Sequence, residues 1–139
     1  MPGRGIQHID LAVADVDRSL AFYRELLGPL GLKDFMRLRS YRGTEDVVYL
    51  QFGRSFIGFR PADGGTYRHY DVGLEHFAFQ VDTRLEVDEA HDRCLAAGGR
   101  IESPPERHYD YIDDDDYYAF FAFDPDGIRV EVVYDAADY

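Results

Sequence analysis

Twice along this chain a histidine heads an apolar-rich strand that runs into a helix, and this repetition constrains the fold more than any other feature. His8-Ile-Asp-Leu-Ala-Val is the first copy and His76-Phe-Ala-Phe-Gln-Val the second. In the first half, period-2 alternation predicts a strand from Gly5 to Ala14. Asp15 then caps a helix whose apolar stripe is Val16, Leu20, Tyr23 and Leu27, with Gly28 as its stop. Strand-like runs follow from Leu32 to Ser40, Asp46 to Gly53 and Ser55 to Arg60, and a Gly-, Asp- and Tyr-rich loop leads to residue 72. The order then repeats. A strand from Leu74 to Val81 precedes a helix from about Leu85 to Ala97, ended by Gly98-Gly99. Strands from Arg100 to Ser103, Tyr117 to Phe123 and Ile128 to Tyr134 complete it, the last two joined by the turn Asp124-Pro-Asp-Gly127.

Both halves therefore read as βαβββ modules, at about 5–61 and 73–135 of one domain spanning residues 1–139. Two copies fall short of the roughly three units that a solenoid needs. The class is α+β, with one helix for four strands, so each helix covers the convex face of a mixed sheet and leaves the other face as an open cup. Alternation sends Ile9, Leu11 and Val13 to the core, and His8, Asp10 and Ala12 to the open side. In the second module Phe77, Phe79 and Val81 are the core set, and His76, Ala78 and Gln80 face the other way. In the last strand Val130, Val132 and Tyr134 point inward, leaving Arg129, Glu131 and Val133 opposite. Two histidines and a carboxylate thus share the open face, a combination able to hold a metal.

Composition narrows the partners. A net charge of -12 opposes binding to a phosphate backbone, which draws its affinity from clustered cations, so nucleic acid is excluded. No apolar run approaches the ~20 residues of a membrane-spanning helix, and Met1-Pro-Gly-Arg-Gly-Ile lacks the apolar centre of a signal peptide. A cytoplasmic protein with no membrane partner is expected. Cys94 lies on the stripe Val87, Ala90, Cys94 and Ala97 of the second helix and reads as a core thiol. His91 falls on the polar side of that helix, and His69 in the mid-chain loop has no positional reason to join a site.

The blocks His8-Ile-Asp-Leu-Ala-Val-Ala-Asp-Val-Asp-Arg-Ser-Leu-Ala-Phe-Tyr23, the His76 strand, and Phe123-Asp-Pro-Asp-Gly-Ile-Arg-Val-Glu131 occur in that order, and with them the chain resembles the vicinal oxygen chelate superfamily over nearly its whole length. That superfamily groups glyoxalase I, bleomycin resistance proteins, extradiol dioxygenases and their kin. The resemblance implies paired βαβββ modules cupped around a divalent metal (Fe, Mn, Zn or Ni) that binds two neighbouring oxygens of a small-molecule substrate. It implies His8, His76 and Glu131 as ligands, and a homodimer as the assembly, with modules paired within a chain or swapped between chains. A fourth ligand, glutamate or glutamine in glyoxalase I, would fall at Gly58, which has no side chain to offer; this argues against glyoxalase I proper. Extradiol enzymes carry a tyrosine where this chain has Phe121.

The segment His108-Tyr-Asp-Tyr-Ile-Asp-Asp-Asp-Asp-Tyr-Tyr118 has two readings. One is a lid in which His108, Tyr109 or Tyr111 supplies acid, base or hydrogen bonds; the other is a solvated acidic loop, favoured for Asp113 to Asp116. Asp10, Gln80, Phe121 and Arg129 are the expected substrate-binding residues. The function expected is a metal-dependent dioxygenase-, isomerase- or lyase-type enzyme. The alternative is a non-catalytic binder of a small molecule or antibiotic of the bleomycin-resistance type, for which 11 tyrosines and 10 phenylalanines would furnish the pocket.

Overall fold

In a computed structural model that describes residues 1–41, 45–108 and 116–137, the chain divides into two compact units, Met1–Gly65 and Thr66–Tyr139. The first contains β1 (His8–Val13), α1 (Val16–Leu27), β2 (Lys33–Tyr41), β3 (Glu45–Phe52) and β4 (Ser55–Pro61). The second contains β5 (Phe77–Val81), α2 (Arg84–Ala96), β6 (Arg100–Arg107), β7 (Tyr117–Phe123) and β8 (Arg129–Asp135). Each unit is a four-stranded mixed sheet with one helix, ordered β1-β4-β3-β2 in the first and β5-β8-β7-β6 in the second. The expected α+β class and βαβββ order hold in both.

On β1 and β5 the alternation read from sequence is the alternation of burial; on β8 it is not, since Glu131 and Val133, expected on the open face, are buried with Val130 and Val132, and Tyr134, expected in the core, is half-buried. Leu11 and Val13 are buried on β1 while His8, Asp10 and Ala12 are exposed, and on β5 Phe79 and Val81 are buried while Ala78 and Gln80 are exposed. α1 begins because the Asp15 carboxylate accepts from the Arg18 N–H at 3.1 Å, and it lays Leu20, Tyr23 and Leu27 against the sheet, with the Tyr23 ring 5.3 Å from Phe59. Burying each such large side chain contributes about 1.5–3 kcal/mol. α2 begins with a reciprocal cap, in which the Glu86 N–H donates to Thr83 Oγ1 and Glu86 Oε1 accepts from the Asp82 N–H.

Several element ends differ in detail from the sequence reading. α1 ends at Leu27 with Gly28 as its C-cap, as expected, but Gly28 stays right-handed at a φ of -54°, a 3-10 turn over Gly28–Leu30 follows, and Gly31, at φ +100°, makes the left-handed exit. β6 runs on through Pro104-Pro105 to Arg107, which is possible because it is the edge strand and its pairing shifts register between Ser103 and Glu106. β5 starts at Phe77, so His76 lies just ahead of its strand. The Asp124-Pro-Asp-Gly127 turn forms as expected. Asp124 is buried, and its Oδ1 accepts from the N–H groups of Asp126 (2.8 Å) and Ile128 (2.9 Å), which sets β8 against β7 with Glu131 opposite Phe121. No helix among the described residues is long and apolar enough to cross a membrane.

Candidate metal centre

In the second unit, Glu131 sits on β8 between Ala78 of β5 and Phe121 of β7 and is only 2% exposed. A carboxylate taken that far from water needs partners. The Tyr117 hydroxyl donates to its Oε2 at 2.5 Å, and its Oε1 stands 3.2 Å from Nε2 of His76. The His76 ring is fixed from behind. Its Nδ1 lies 2.5 Å from Glu75 Oε2, and the segment just before it is pinned where the Tyr67 hydroxyl donates to the Leu74 carbonyl.

Arg129 ties this backing together. Its guanidinium lies over the Phe121 ring at 4.3 Å, donates to Glu75 Oε1 at 2.8 Å and grips Glu102 through Nε and Nη2. Partial burial opposes the charge on Arg129, but Glu102 and Glu75 outweigh it and raise its pKa. Partial burial likewise opposes ionisation of Glu75. The hydrogen bond to His76 and the charges of His76 and Arg129 prevail, and the carboxyl is held below its usual range.

Glu75 Oε2 engages Nδ1 at 2.5 Å, and Nε2 is the ring nitrogen turned toward Glu131. Nε2 and Glu131 Oε1 meet at 3.2 Å, a hydrogen bond when Nε2 carries the proton. Bonds of about 2.0–2.2 Å to nitrogen and oxygen make 3.2 Å the separation of two donors subtending roughly 100° at a metal ion, so the donor pair fits one.

Phe121 is the hub of this region. It is buried, with the rings of His76 at 5.5 Å and His108 at 5.6 Å edge-on to it. The His108 N–H donates to the Tyr117 carbonyl at 2.9 Å, placing His108 beside the tyrosine that holds Glu131. Gln80 is exposed and pairs with Val133 in register. Tyr109 and Tyr111, and Asp113 to Asp115 of the acidic run, lie outside the described residues. Cys94 is fully buried, and desolvation raises its thiol pKa to about 11. His69 packs on Tyr70 and Phe123, and His91 is half-buried with its ring edge-on to Phe120, not simply on the surface.

In the first unit, His8 opens β1 and repeats the local pattern of His76. Its Nδ1 is 2.7 Å from Oε1 of the preceding residue, Gln7. Its ring is edge-on to Tyr49, whose hydroxyl donates to Asp10 Oδ2 at 3.1 Å. A cavity of about 240 Å³ opens beside it, lined by Gln7, His8, Phe35, Met36, Tyr49 and Phe56. Gly58 pairs with Asp10 on one side and Tyr49 on the other. A Cβ there would fall on Asp10 Oδ1 and 2.6 Å from the Tyr49 ring.

The residues brought together in the second unit are His76, Glu131, Phe121, Arg129 and His108. Among the described residues no group of three or more His, Cys, Asp or Glu side chains is gathered as a ready cage. Sequence reasoning missed Tyr117, Tyr67, Glu75 and Tyr49. For Tyr117 a signal existed: it shares strand parity with Phe121 and so points to the same face.

Comparison with known proteins adds an independent result. A profile of the glyoxalase/bleomycin resistance protein/dioxygenase superfamily matches residues 5–132. The uncharacterized protein YqjT of Bacillus subtilis is 33% identical over 92% of this chain and 97% of its own length. A lactoylglutathione lyase structure from Agrobacterium tumefaciens superposes with a TM-score of 0.67 at 27% identity, covering 96% of each chain. A glyoxylase/bleomycin resistance protein/dioxygenase domain from a Frankia species reaches a TM-score of 0.79 at 24% identity, over 96% of this chain and 99% of that one, and speaks for the fold alone.

Proposed function

Because the chain belongs to the glyoxalase/bleomycin resistance protein/dioxygenase superfamily, we propose that it is a divalent-metal-dependent enzyme. Its substrate is a small organic molecule with two adjacent oxygens, and its chemistry is proton transfer of the isomerase or lyase type. The observation that carries the reading is the approach of His76 Nε2 to Glu131 Oε1 at 3.2 Å, a separation that two ligands of one metal ion take. The likeness to a lactoylglutathione lyase supports this reaction class over oxygenation.

The ligands are His76, Glu131 and His8, the last drawn from the same chain or from a second copy in a homodimer. Iron, manganese, zinc and nickel all accept such a nitrogen-and-oxygen set. When bound, the cation lowers the cost of negative charge on chelated substrate oxygens. The protein's own part is positioning. Glu75 and Gln7 engage the Nδ1 atoms of the two histidines, which leaves Nε2 of each as the candidate ligand atom. Tyr117 holds Glu131 by Oε2 and leaves Oε1 for the ion. Phe35, Met36 and Phe56 give the apolar part of the substrate a wall beside His8. His108, next to Tyr117, is the candidate for moving a proton, and Asp10 and Gln80 for contacting the substrate.

Metal analysis of protein purified without chelator tests this reading. About one divalent ion per chain in the wild type, lost in His76→Ala, is the expected result; less than half an equivalent, or a content unchanged by the substitution, overturns it. A second reading, non-catalytic holding of an aromatic ligand, is favoured by the apolar cavity. It predicts ligand binding that is indifferent to His76→Ala.

A further inference from the structure

Two consecutive apolar side chains on β2, Phe35 and Met36, stay 51% and 44% exposed. Regular pleating would send neighbours to opposite faces of the sheet. The register shows why it does not. Asp34 pairs with Leu50 and Met36 with Tyr49, so β2 advances two residues while β3 advances one, and Phe35 is the extra residue of a β-bulge. Asp10, Gly58, Tyr49 and Met36 are paired in turn across the four strands, which sets Met36 on the open face with Asp10. The bulge brings Phe35 to the same side: its ring centroid is 4.5 Å from that of Phe56, which pairs with His8.

Phe35 and Met36 thereby complete a cavity of about 240 Å³ whose other lining residues are Gln7, His8, Tyr49 and Phe56, all within the first unit. An apolar cavity of about 150 Å³ admits benzene, so this volume suits a substituted single ring. Phe35 and Phe56 meet with their planes at 45° and offer ring face and edge to a flat guest. Charge selects among such guests. The Tyr49 hydroxyl donates to Asp10 Oδ2 at 3.1 Å, which sets a carboxylate behind the polar side of the cavity, and the described lining residues include no lysine or arginine. An anionic ring meets repulsion there and an uncharged one does not.

We propose that this cavity holds an uncharged aromatic ring carried by the substrate, and that Phe35, turned inward by the bulge, is the residue that selects it. The proposal rests on the substrate reading above and names what that molecule carries besides its adjacent oxygens: a flat, non-reacting ring lodged beside His8.

Methionine occurs only at positions 1 and 36, so isotope-labelled methionine methyl groups give one NMR signal from the cavity wall and one reference from Met1. The full chain, stripped of metal, is titrated with phenol, with its saturated counterpart cyclohexanol, and with benzoate. Phenol should move the Met36 methyl signal saturably and leave Met1 in place, while cyclohexanol and benzoate bind at least ~3-fold more weakly. Phe35→Ala should weaken phenol binding at least ~10-fold, and Phe35→Leu, which keeps apolar bulk without the ring, roughly 3–10-fold. An unmoved Met36 signal, cyclohexanol binding as well as phenol, or unchanged phenol affinity in Phe35→Ala overturns the proposal. So does a Met36 signal that moves with protein concentration alone, which would make this face an interface between copies of the chain. Should Phe35→Ala fail to fold, Phe35→Leu and the comparison of phenol with cyclohexanol decide. With metal absent throughout, each of these failures leaves the metal reading standing, whereas selective phenol binding by a protein that takes up no metal supports the ring site and overturns the metal reading alone.

Discussion

Tyr117→Phe is the sharpest perturbation of the second unit, because it deletes one oxygen and nothing else. That oxygen donates at 2.5 Å to Glu131 Oε2, on a carboxylate only 2% exposed. Water cannot easily replace the lost donor, so the cost is that of a hydrogen bond to a charged, buried group, about 1.5–3 kcal/mol. For a domain of this size that corresponds to a fall of roughly 5–9 °C in Tm. Tyr118→Phe is the internal control. Its hydroxyl donates at 2.6 Å to Asp88, but in an exposed setting where water can substitute, so ~0.5–1 kcal/mol is expected. Urea unfolding of metal-stripped protein measures both without a bound ion adding to stability. The chain has no tryptophan, so tyrosine fluorescence and far-UV circular dichroism are the probes, and their coincidence checks two-state behaviour. A Tyr117→Phe loss below ~0.5 kcal/mol, or no larger than that of Tyr118→Phe, would refute the reasoning, since Glu131 would then draw nothing from the hydroxyl.

Other perturbations probe other joints of the structure. Gly58→Ala places a Cβ on the Asp10 carboxylate and against the Tyr49 ring; unfolding should show a loss of about 1–3 kcal/mol, relieved when Asp10→Ala is added. Cys94, with its thiol pKa raised to about 11 by burial, is ~0.1% thiolate at pH 8 against roughly a quarter for an ordinary thiol. Alkylation of the native protein should therefore run at least ~100-fold slower than in urea. Asp124→Ala removes two acceptor contacts to turn N–H groups, one buried and one part-buried; a loss of about 2–3 kcal/mol in urea unfolding is expected, and one under ~0.5 kcal/mol would mean the turn forms without them.

The parts of this structure that were legible in sequence are those set by local rules. Period-2 alternation alone placed Asp10 and Gln80 on the exposed side and Leu11, Val13, Phe79 and Val81 in the core. The Asp15 cap and the Asp124 turn were readable because each acts within a few residues. What escaped depends on pairing between strands distant in sequence. Gly58 was visible as a missing side chain, but the carboxylate filling its place comes from β1 through a parallel register that no local pattern encodes. Tyr117 was obscured by the neighbouring acidic run, which reads as solvated loop, although its parity with Phe121 pointed to the same face. The sequence reading ended β6 at Ser103, and the strand's place at the sheet edge explains why it continues through Pro104-Pro105.

The central claim is that His76, Glu131 and His8 hold one divalent ion. Anomalous diffraction from crystals of the full chain grown with Zn(II) or Mn(II) tests it most directly. A single strong peak about 2.0–2.2 Å from His76 Nε2, Glu131 Oε1 and a His8 Nε2 is the predicted result. A peak on other side chains, or one bonded to His76 through Nδ1 with Glu75 displaced, would contradict it.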